Sequence, residues 1–517
     1  MALQGTALDR LHQHLHHTRL LSSTSSALYF DQNTVMPAAG APWRGEQLAL
    51  LARQLHERRS CAAYAELVSA AEADLSAEAP AALRRNLQLL RLELERQRCL
   101  DPALVQALVR AQSRGNALWQ QARSSNVFAT FEPALRELLQ LRREQASQLA
   151  TAEPPGRSVW EVLAQPFEPD ISKAQLDSLF APLRAELPPL LERVAAAPTA
   201  AVGGQSPAAA PRASALGEAA QERLCSQLLE SWGYDPSRCQ RARSAHPFSC
   251  TMGPADFRIT TRVVPGQPFS AFLATAHEWG HSLYEQGLPR GDDHDNSWPL
   301  GDATSMGVHE SQSLFWECRV ARGRAFADRW YPCFRDALGG GDPWGSPAVF
   351  WRQLNPLKPG LIRVEADELS YGLHILLRYE LELALLEQGM PVNELPQAWN
   401  RGMQDLLGLT PSSDAEGCLQ DIHWAEGLFG YFPSYALGHL ISAQLAEAME
   451  AAIGPIESHV AAGQETLLRA WLAGQVWGLG RSVNAAELVE QVSGRPLSAE
   501  PFLTYLGGKV ERLLDGG

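Results

Sequence analysis

Apolar residues recur at three- and four-residue spacing along most of this chain, in stretches rich in Ala, Leu, Glu, Gln and Arg. The clearest examples run over 81–100, 102–122 and 132–150. This period is typical of amphipathic helices. Strand-like alternation is scarce, and its best candidate is 257–264, which lies between two prolines. The pattern predicts an all-α fold, with antiparallel helical hairpins in the N-terminal half and at most a small β-ribbon.

The segment 195–215 interrupts the helical pattern, because it is rich in Ala, Pro, Gly and Ser. A chain of 517 residues has room for one to three domains. This segment is the best candidate for a boundary between them. We expect an N-terminal helical region at 1–194, a flexible loop at 195–215 and a second helical region at 216–517, together forming one continuous unit.

Charge and cysteine usage exclude several classes of function. The formal net charge of -14 disfavours a nucleic-acid partner. No apolar run approaches the roughly 18 residues of a membrane span. The 8 cysteines include no C-x-x-C pair, and no signal-peptide pattern is present. We therefore expect reduced thiols in a cytoplasmic protein that binds neither nucleic acid nor membrane.

One motif carries recognisable chemistry. The run 269–287 reads as a single helix, with Ser270 as a candidate cap and a glycine at its end. It contains His277, Glu278 and His281, an H-E-x-x-H pattern. Histidines at i and i+4 lie on one helical face and can share a tetrahedral Zn²⁺, while the glutamate can act as a base towards water. The alternative is a chance match, but the small and apolar neighbours predict a buried helix, where such polar groups need a partner.

A catalytic zinc needs a third protein ligand and an open position. Position 287 is glycine, so the third histidine of the metzincin pattern is absent. The next promising carboxylate is Glu310, which begins another amphipathic stretch. The sequence thus predicts a zinc site made by His277, His281 and Glu310 in the region 216–517, with Glu278 as the general base and Co²⁺ or Mn²⁺ as possible substitutes.

The chain resembles the carboxypeptidase Taq family of zinc metallocarboxypeptidases over its whole length. The resembling elements, in order, are 246–248 (HPF), 256–260 (DFRIT), 277–287, 309–313 (HESQS), 362–369 (IRVEADEL), 417–424 and 432–439. The resemblance implies an all-helical metallopeptidase with a deep active-site groove, partly covered by the N-terminal region. It also implies homodimers and release of C-terminal amino acids from peptides with a free C-terminus. Cys250 departs from the pattern, which usually has a threonine pair there.

The resemblance also suggests a donor that stabilises the oxyanion formed during peptide hydrolysis. Tyr435 is the first choice, and Tyr431 and His423 are its competitors. By itself a tyrosine beside Phe432 and a proline is more often a core residue. Asp421 and His423 could instead orient a metal-binding histidine.

An exopeptidase must recognise the C-terminal carboxylate, and a guanidinium can pair both of its oxygens. Arg363 is the candidate for this role by resemblance. From the residues alone, an ordinary ion pair with Glu365, Asp367 or Glu368 is at least as good an explanation.

Besides Arg363 and Tyr431, two further residues are predicted to contact substrate. His246 precedes a proline and could bind the substrate backbone or carboxylate, although a lone histidine in a turn is more often structural. Arg258 shares a strand face with Asp256, so that a salt bridge bracing the site is as good an interpretation as direct substrate contact.

Two other functions are compatible with the same motif. A zinc endopeptidase or oligopeptidase would use the same metal ligands without needing an arginine for the carboxylate. A non-catalytic helical interaction protein would hold a structural or vestigial metal. Glu278 argues against the second alternative, because holding a metal does not require it.

Overall fold

The computed structural model describes residues 6–197, 216–290 and 296–515. The flexible loop predicted at 195–215 lies outside the described residues from position 198 onward, and position 195 is the last residue of a helix.

Eight α-helices precede residue 198 among the described residues. They are α1 Ala7–Thr34, α2 Ala41–Ser60, α3 Ala62–Ala73, α4 Ala81–Arg98, α5 Pro102–Ser125, α6 Glu132–Leu149, α7 Val159–Ala164 and α8 Lys173–Ala195. Three of them match the predicted helices at 81–100, 102–122 and 132–150 to within three residues at either end.

Twelve more α-helices follow in the described part of 216–515. They are α9 Glu218–Ser231, α10 Ser270–Gly287, α11 Met306–Leu314, α12 Arg324–Ala337, α13 Pro347–Leu354, α14 Tyr371–Leu386, α15 Leu395–Leu407, α16 Pro433–Ile453, α17 Ile456–Ala461, α18 Glu465–Gln475, α19 Ala485–Ser493 and α20 Glu500–Leu514. A π-helical segment, Phe315–Ala321, continues α11 directly. Short 3₁₀ segments lie at Ala38–Gly40, Phe128–Thr130, Ala150–Ala152, Pro299–Gly301, Arg363–Glu365, Val392–Glu394 and Trp477–Ser482. The all-α prediction is therefore confirmed.

Helix α10 carries the H-E-x-x-H motif and matches its predicted extent almost completely. The predicted N-cap at Ser270 is wrong, because Ser270 is the first helical residue. The N-cap is Phe269, and no side-chain hydrogen bond caps the helix there. Burial holds this helix in place: Ala271, Ala276 and Trp279 are fully shielded from solvent.

A small three-stranded sheet packs beside α10. Its strands are β1 Cys239–Arg243, β2 Ser249–Gly253 and β3 Asp256–Thr261, with β3 in the centre, parallel to β1 and antiparallel to β2. The expected ribbon is thus present, with one additional parallel strand. The Thr261 hydroxyl donates to the Ala271 carbonyl 3.1 Å away, which attaches the central strand to the start of α10.

One main hydrophobic core joins side chains from both sides of the 198–215 gap, reaching from Trp119 to Leu513. A smaller core lies between α1, α3 and α4, and Trp298 packs against it. Most of the buried apolar surface is therefore shared between the N-terminal helices and the region that carries the motif.

None of the described helices is both long enough and apolar enough to cross a membrane. All 8 cysteines are free thiols in the structure.

Candidate active site

Helices α10 and α11 meet closely enough to bring the motif to Glu310. At Gly280, a Cβ atom would lie 2.7 Å from both the Gln312 carbonyl oxygen and the Ser313 Cα. A similar approach occurs at Gly438 of α16, where a Cβ would lie 2.6 Å from the Glu310 Cγ. Any larger residue would force the helices apart, so glycine at these positions sets the spacing of the site.

His277, His281 and Glu310 converge as the sequence predicts. Glu310 Oε2 lies 3.8 Å from His277 Nε2 and 3.4 Å from His281 Nε2. The nearest ligand atoms of the three residues all lie within 4.8 Å of one another. Two imidazole nitrogens and one carboxylate oxygen form a donor set that suits a catalytic divalent metal with one open position. The residues present therefore fit a metal ion.

A carboxylate supports His277 from behind. His277 Nδ1 lies 3.0 Å from Glu317 Oε2 in the π-helical segment. Arg322 holds the other Glu317 oxygen through Nε at 3.0 Å and Nη2 at 2.8 Å. Because a carboxylate only accepts, His277 Nδ1 carries a proton, and the neutral imidazole that binds a metal would have its lone pair on Nε2, towards Glu310.

A second histidine supports His281. Its Nδ1 lies 2.6 Å from His309 Nδ1, and His309 Nε2 lies 3.0 Å from Glu285 Oε1. The Thr251 hydroxyl donates to the other Glu285 oxygen at 3.1 Å, which links this chain of contacts to β2.

The electrostatics of this cluster favour a bound cation. Three carboxylates face the two imidazoles: those of Glu278, Glu310 and Glu317. One guanidinium, that of Arg322, pairs with Glu317. Burial raises the pKa of Glu278 to about 7, His277 opposes the rise and Glu310 adds to it. A carboxylate that titrates near neutrality suits a general base.

The two imidazoles differ in their preference for protons. Burial opposes protonation of His277, but Glu310 and Glu317 outweigh it and raise the pKa to about 10. Burial lowers the pKa of His281 to about 4.

Arg363 lies in a second buried charged cluster. Its Nε and Nη2 lie 2.9 and 2.8 Å from Asp421 Oδ1, and its Nη1 donates to the Tyr371 hydroxyl at 3.0 Å. Arg378 binds the other Asp421 oxygen at 2.7 Å. Burial raises the pKa of Asp421, but the two guanidinium groups outweigh it and hold the pKa well below its ordinary value.

This arrangement corrects two expectations. The suggested ion pair of Arg363 with Glu365, Asp367 or Glu368 is wrong, because Asp421 from a distant loop occupies that position. Asp421 and His423 do not orient a metal-binding histidine, since Asp421 contacts the two arginines and His423 contacts Tyr435.

Tyr435, Tyr431 and His423 come together at the start of α16. His423 Nε2 lies 3.2 Å from the Tyr435 hydroxyl oxygen, and the rings of Tyr431 and Tyr435 lie 5.3 Å apart. His423 Nδ1 is buried without a hydrogen-bond partner. Burial raises the pKa of Tyr435 well above its ordinary value, so its hydroxyl keeps its proton.

The remaining two predicted residues lie on and beside the small sheet. Arg258 pairs both oxygens of Asp256 at 2.8 and 2.7 Å, which is the bracing salt bridge considered from the sequence. Its guanidinium also lies over the Phe30 ring of α1, 5.2 Å from the centroid. His246 is exposed between β1 and β2. Substrate contact by either residue stays a prediction.

The groups that support His277 and His281 are not predicted from the sequence. Signals for them were present: Glu285 follows His281 by four residues, one turn further along α10, and His309 directly precedes Glu310. Glu317 lies two turns beyond Glu310, but the π-helical segment that presents it has no recognisable pattern.

The chain is similar to known proteins over nearly its whole length. The family described as carboxypeptidase Taq (M32) metallopeptidase matches residues 10–510. Thermostable carboxypeptidase 1 of Thermus thermophilus is 37% identical over 505 residues, which cover 96% of both chains. Carboxypeptidase 1 of Bacillus subtilis is 32% identical over 495 residues, 95% of each chain. The crystal structure of the M32 carboxypeptidase from Deinococcus radiodurans superimposes with a TM-score of 0.90 at 32% identity, covering 98% of this chain and 99% of that one.

The match spans nearly the whole chain, and the alternative functions are not favoured. This chain therefore belongs to the carboxypeptidase Taq (M32) family of metallopeptidases and is a metallocarboxypeptidase.

Proposed function

We propose that this metallocarboxypeptidase uses zinc, held by His277, His281 and Glu310, to remove C-terminal residues from peptides. The observation that carries the proposal is the convergence of two Nε2 atoms on one Glu310 oxygen, at 3.8 and 3.4 Å. The donor set of two nitrogens and one oxygen is the one expected for catalytic zinc, and Co²⁺ or Mn²⁺ could substitute for it.

Glu278 acts as the general base. When bound, zinc would polarise the scissile carbonyl and lower the pKa of the attacking water. Glu278 takes one proton from that water as its oxygen bonds to the carbonyl carbon. The same carboxyl returns the proton to the leaving nitrogen when the C–N bond breaks, so that the residue ends the cycle unchanged. Its burial, which disfavours the charged carboxylate, supports both transfers.

Tyr435 donates a hydrogen bond to the oxyanion. The buried, unpartnered Nδ1 of His423 is better tolerated as a bare nitrogen than as an orphaned N–H. In that tautomer His423 Nε2–H donates to the Tyr435 oxygen 3.2 Å away. The phenolic proton of Tyr435 is then available for the substrate. Tyr431, whose ring packs against Tyr435, has the lesser role of shaping this surface.

Arg363 recognises the C-terminal carboxylate of the substrate. Its contacts to Asp421 and Tyr371 engage three of the five guanidinium N–H groups, which leaves two for a ligand. Arg363 and Arg378 share one buried carboxylate, so the cluster has an excess positive charge that an incoming carboxylate would neutralise.

The cover over the site, the assembly and the compartment follow the family resemblance. We propose that residues 1–194 partly cover a groove to the metal, and Glu168 supports this, because it accepts hydrogen bonds from Gly307 at the start of α11 and from Ser434 at the start of α16. A cytoplasmic location is supported by the free thiols. A homodimer rests on the resemblance alone, and light scattering of the purified chain would test it.

A peptide and its C-terminal amide distinguish the proposed activity from its alternatives. Digestion of both by the zinc-loaded protein, followed over time by mass spectrometry, should remove single residues from the free acid only. Treatment with a chelator should stop the reaction, and added zinc should restore it. Internal cuts in both peptides would indicate an endopeptidase, and cleavage that survives complete metal removal would contradict the zinc assignment.

A further inference from the structure

The two metal-binding histidines are supported by different chemistry. His277 Nδ1 faces a carboxylate, Glu317 Oε2, at 3.0 Å. His281 Nδ1 faces another imidazole nitrogen, His309 Nδ1, at 2.6 Å. Since the usual partner of a ligating imidazole is a carboxylate, a backbone carbonyl or water, the second arrangement needs its own explanation.

The contacts of His309 determine where its proton lies. His309 Nε2 is 3.0 Å from Glu285 Oε1, and an ionised carboxylate can only accept. His309 Nε2 therefore carries the hydrogen. When His281 binds a metal through Nε2, the hydrogen of its ring is on Nδ1, so the His309 Nδ1 that faces it must be bare and accept that hydrogen.

The same logic extends to the metal. Only one of two nitrogens 2.6 Å apart can hold the hydrogen between them, so His281 Nδ1 is the donor. The lone pair of His281 then lies on Nε2, the atom 3.4 Å from Glu310 Oε2. A carboxylate two rings away thus selects the tautomer that can bind a metal.

We propose that Glu285 and His309 are positioning residues, a carboxylate–histidine relay that fixes the tautomer and ring orientation of His281 and thereby strengthens metal retention. The relay rests on the proposed role of His281 as a ligand, and it contacts neither substrate nor metal.

Zinc release separates this proposal from a merely structural role. The variants are Glu285→Gln, His309→Leu and the double variant, each loaded with zinc and mixed with an excess of a chromogenic chelator. Each single variant should weaken zinc retention about 10- to 100-fold. The double variant should be no worse than His309→Leu alone, because removing either member breaks the same chain.

A matched control is Glu465→Gln, which removes a buried carboxylate that pairs with Arg329 on helices outside the site. It should leave zinc release unchanged. The visible spectrum of the Co²⁺-substituted protein gives a second measurement, and the relay variants should change its band intensities while the control does not. If His309→Leu does not fold, His309→Gln replaces it in the cycle.

The possible failures are distinguishable. Wild-type protein that binds no stoichiometric zinc would contradict the proposed function itself. If the wild type binds zinc normally, three results would overturn the relay. These are unchanged zinc release in the variants, an effect in only one of the single variants, and additive losses in the double variant.

Discussion

Two buried charged clusters in this molecule have opposite imbalances. Around His277 and His281, carboxylates outnumber the guanidinium that pairs with them. Around Asp421, two guanidinium groups share one carboxylate. A buried charge is costly unless it is compensated. The comparison suggests that each imbalance corresponds to a ligand of the opposite sign: a metal cation in the first cluster and a peptide C-terminus in the second.

The clusters lie close to each other. Tyr371 interacts with both: its hydroxyl accepts from Arg363 Nη1 at 3.0 Å, and burial together with the charge of Glu310 raises its pKa. Tyr435, the proposed oxyanion donor, is 6.3 Å from the Tyr371 ring. A peptide bound between the clusters would therefore have its last bond near the metal, as exopeptidase activity requires.

The largest expected effect comes from the acidic cluster, the one around His277 and His281. Glu278→Gln should lower kcat about 10²- to 10⁴-fold, because the base is lost, while zinc content stays the same, because the ligands remain. Steady-state kinetics and metal analysis of the same sample measure both quantities. Glu230→Gln, an exposed position at the end of α9, is the control. Loss of zinc together with activity would mean that Glu278 holds the metal site together rather than serving as base.

Changes in the basic cluster, the one around Asp421, should alter which peptides are cleaved. Arg363→Met removes one guanidinium, and kcat/KM for free-acid peptides should fall about 10²- to 10³-fold because the substrate carboxylate loses a buried charged partner. Activity on the C-terminal amide should change far less. Arg363→Lys should give an intermediate kcat/KM for free-acid peptides, since an ammonium cannot form the bidentate contact with a carboxylate. Equal losses of kcat/KM on both peptides would mean that this cluster does not recognise the substrate carboxylate.

Glu168 joins the starts of α11 and α16 through Gly307 and Ser434, and its ionisation should affect stability. Burial raises its pKa to about 7 from the ordinary 4.5. Between these values the folded protein keeps a proton that the unfolded chain releases, so the free energy of unfolding should fall as pH rises. Glu168 should contribute about 3 kcal/mol to the difference between pH 4.5 and 8, and Glu168→Gln should lose that contribution while the other buried carboxyl groups keep theirs. Urea unfolding of both proteins across this range measures it, and identical pH dependence would rule out Glu168 as its source.

The smallest expected effect concerns the frame of the basic cluster. Glu382 accepts hydrogen bonds from Trp160, Trp424 and the Gly430 backbone, at 2.9, 3.0 and 2.9 Å. Glu382→Gln would leave one of these donors facing an amide N–H, at a loss of about 2 kcal/mol in unfolding free energy. Urea unfolding would measure this, with zinc content unchanged. A neutral effect would mean that the loop containing Trp424 is held by other contacts.

The comparison also explains what the sequence could predict. The metal cluster is built from two short segments, 277–281 and 309–310, so helical spacing and one motif predict its two histidines, and Glu310 is the next promising carboxylate along the chain. The basic cluster draws Arg363, Arg378 and Asp421 from separate elements, and no local pattern pairs residues so far apart. Likewise, periodicity predicted α4, α5 and α6, whereas the π-helical segment and the parallel strand β1 depend on tertiary packing.

The glycine at position 280 has a consequence for anyone who surveys this enzyme by saturation mutagenesis. With 2.7 Å between a Cβ there and the backbone of the next helix, even alanine must push the two helices apart. Such a survey would rank Gly280 with the chemical residues, although it supplies no reactive atom. A position in this enzyme can therefore be intolerant to substitution because it sets helix spacing or because it takes part in the chemistry. Measuring the amount of folded protein alongside its turnover would distinguish the two causes.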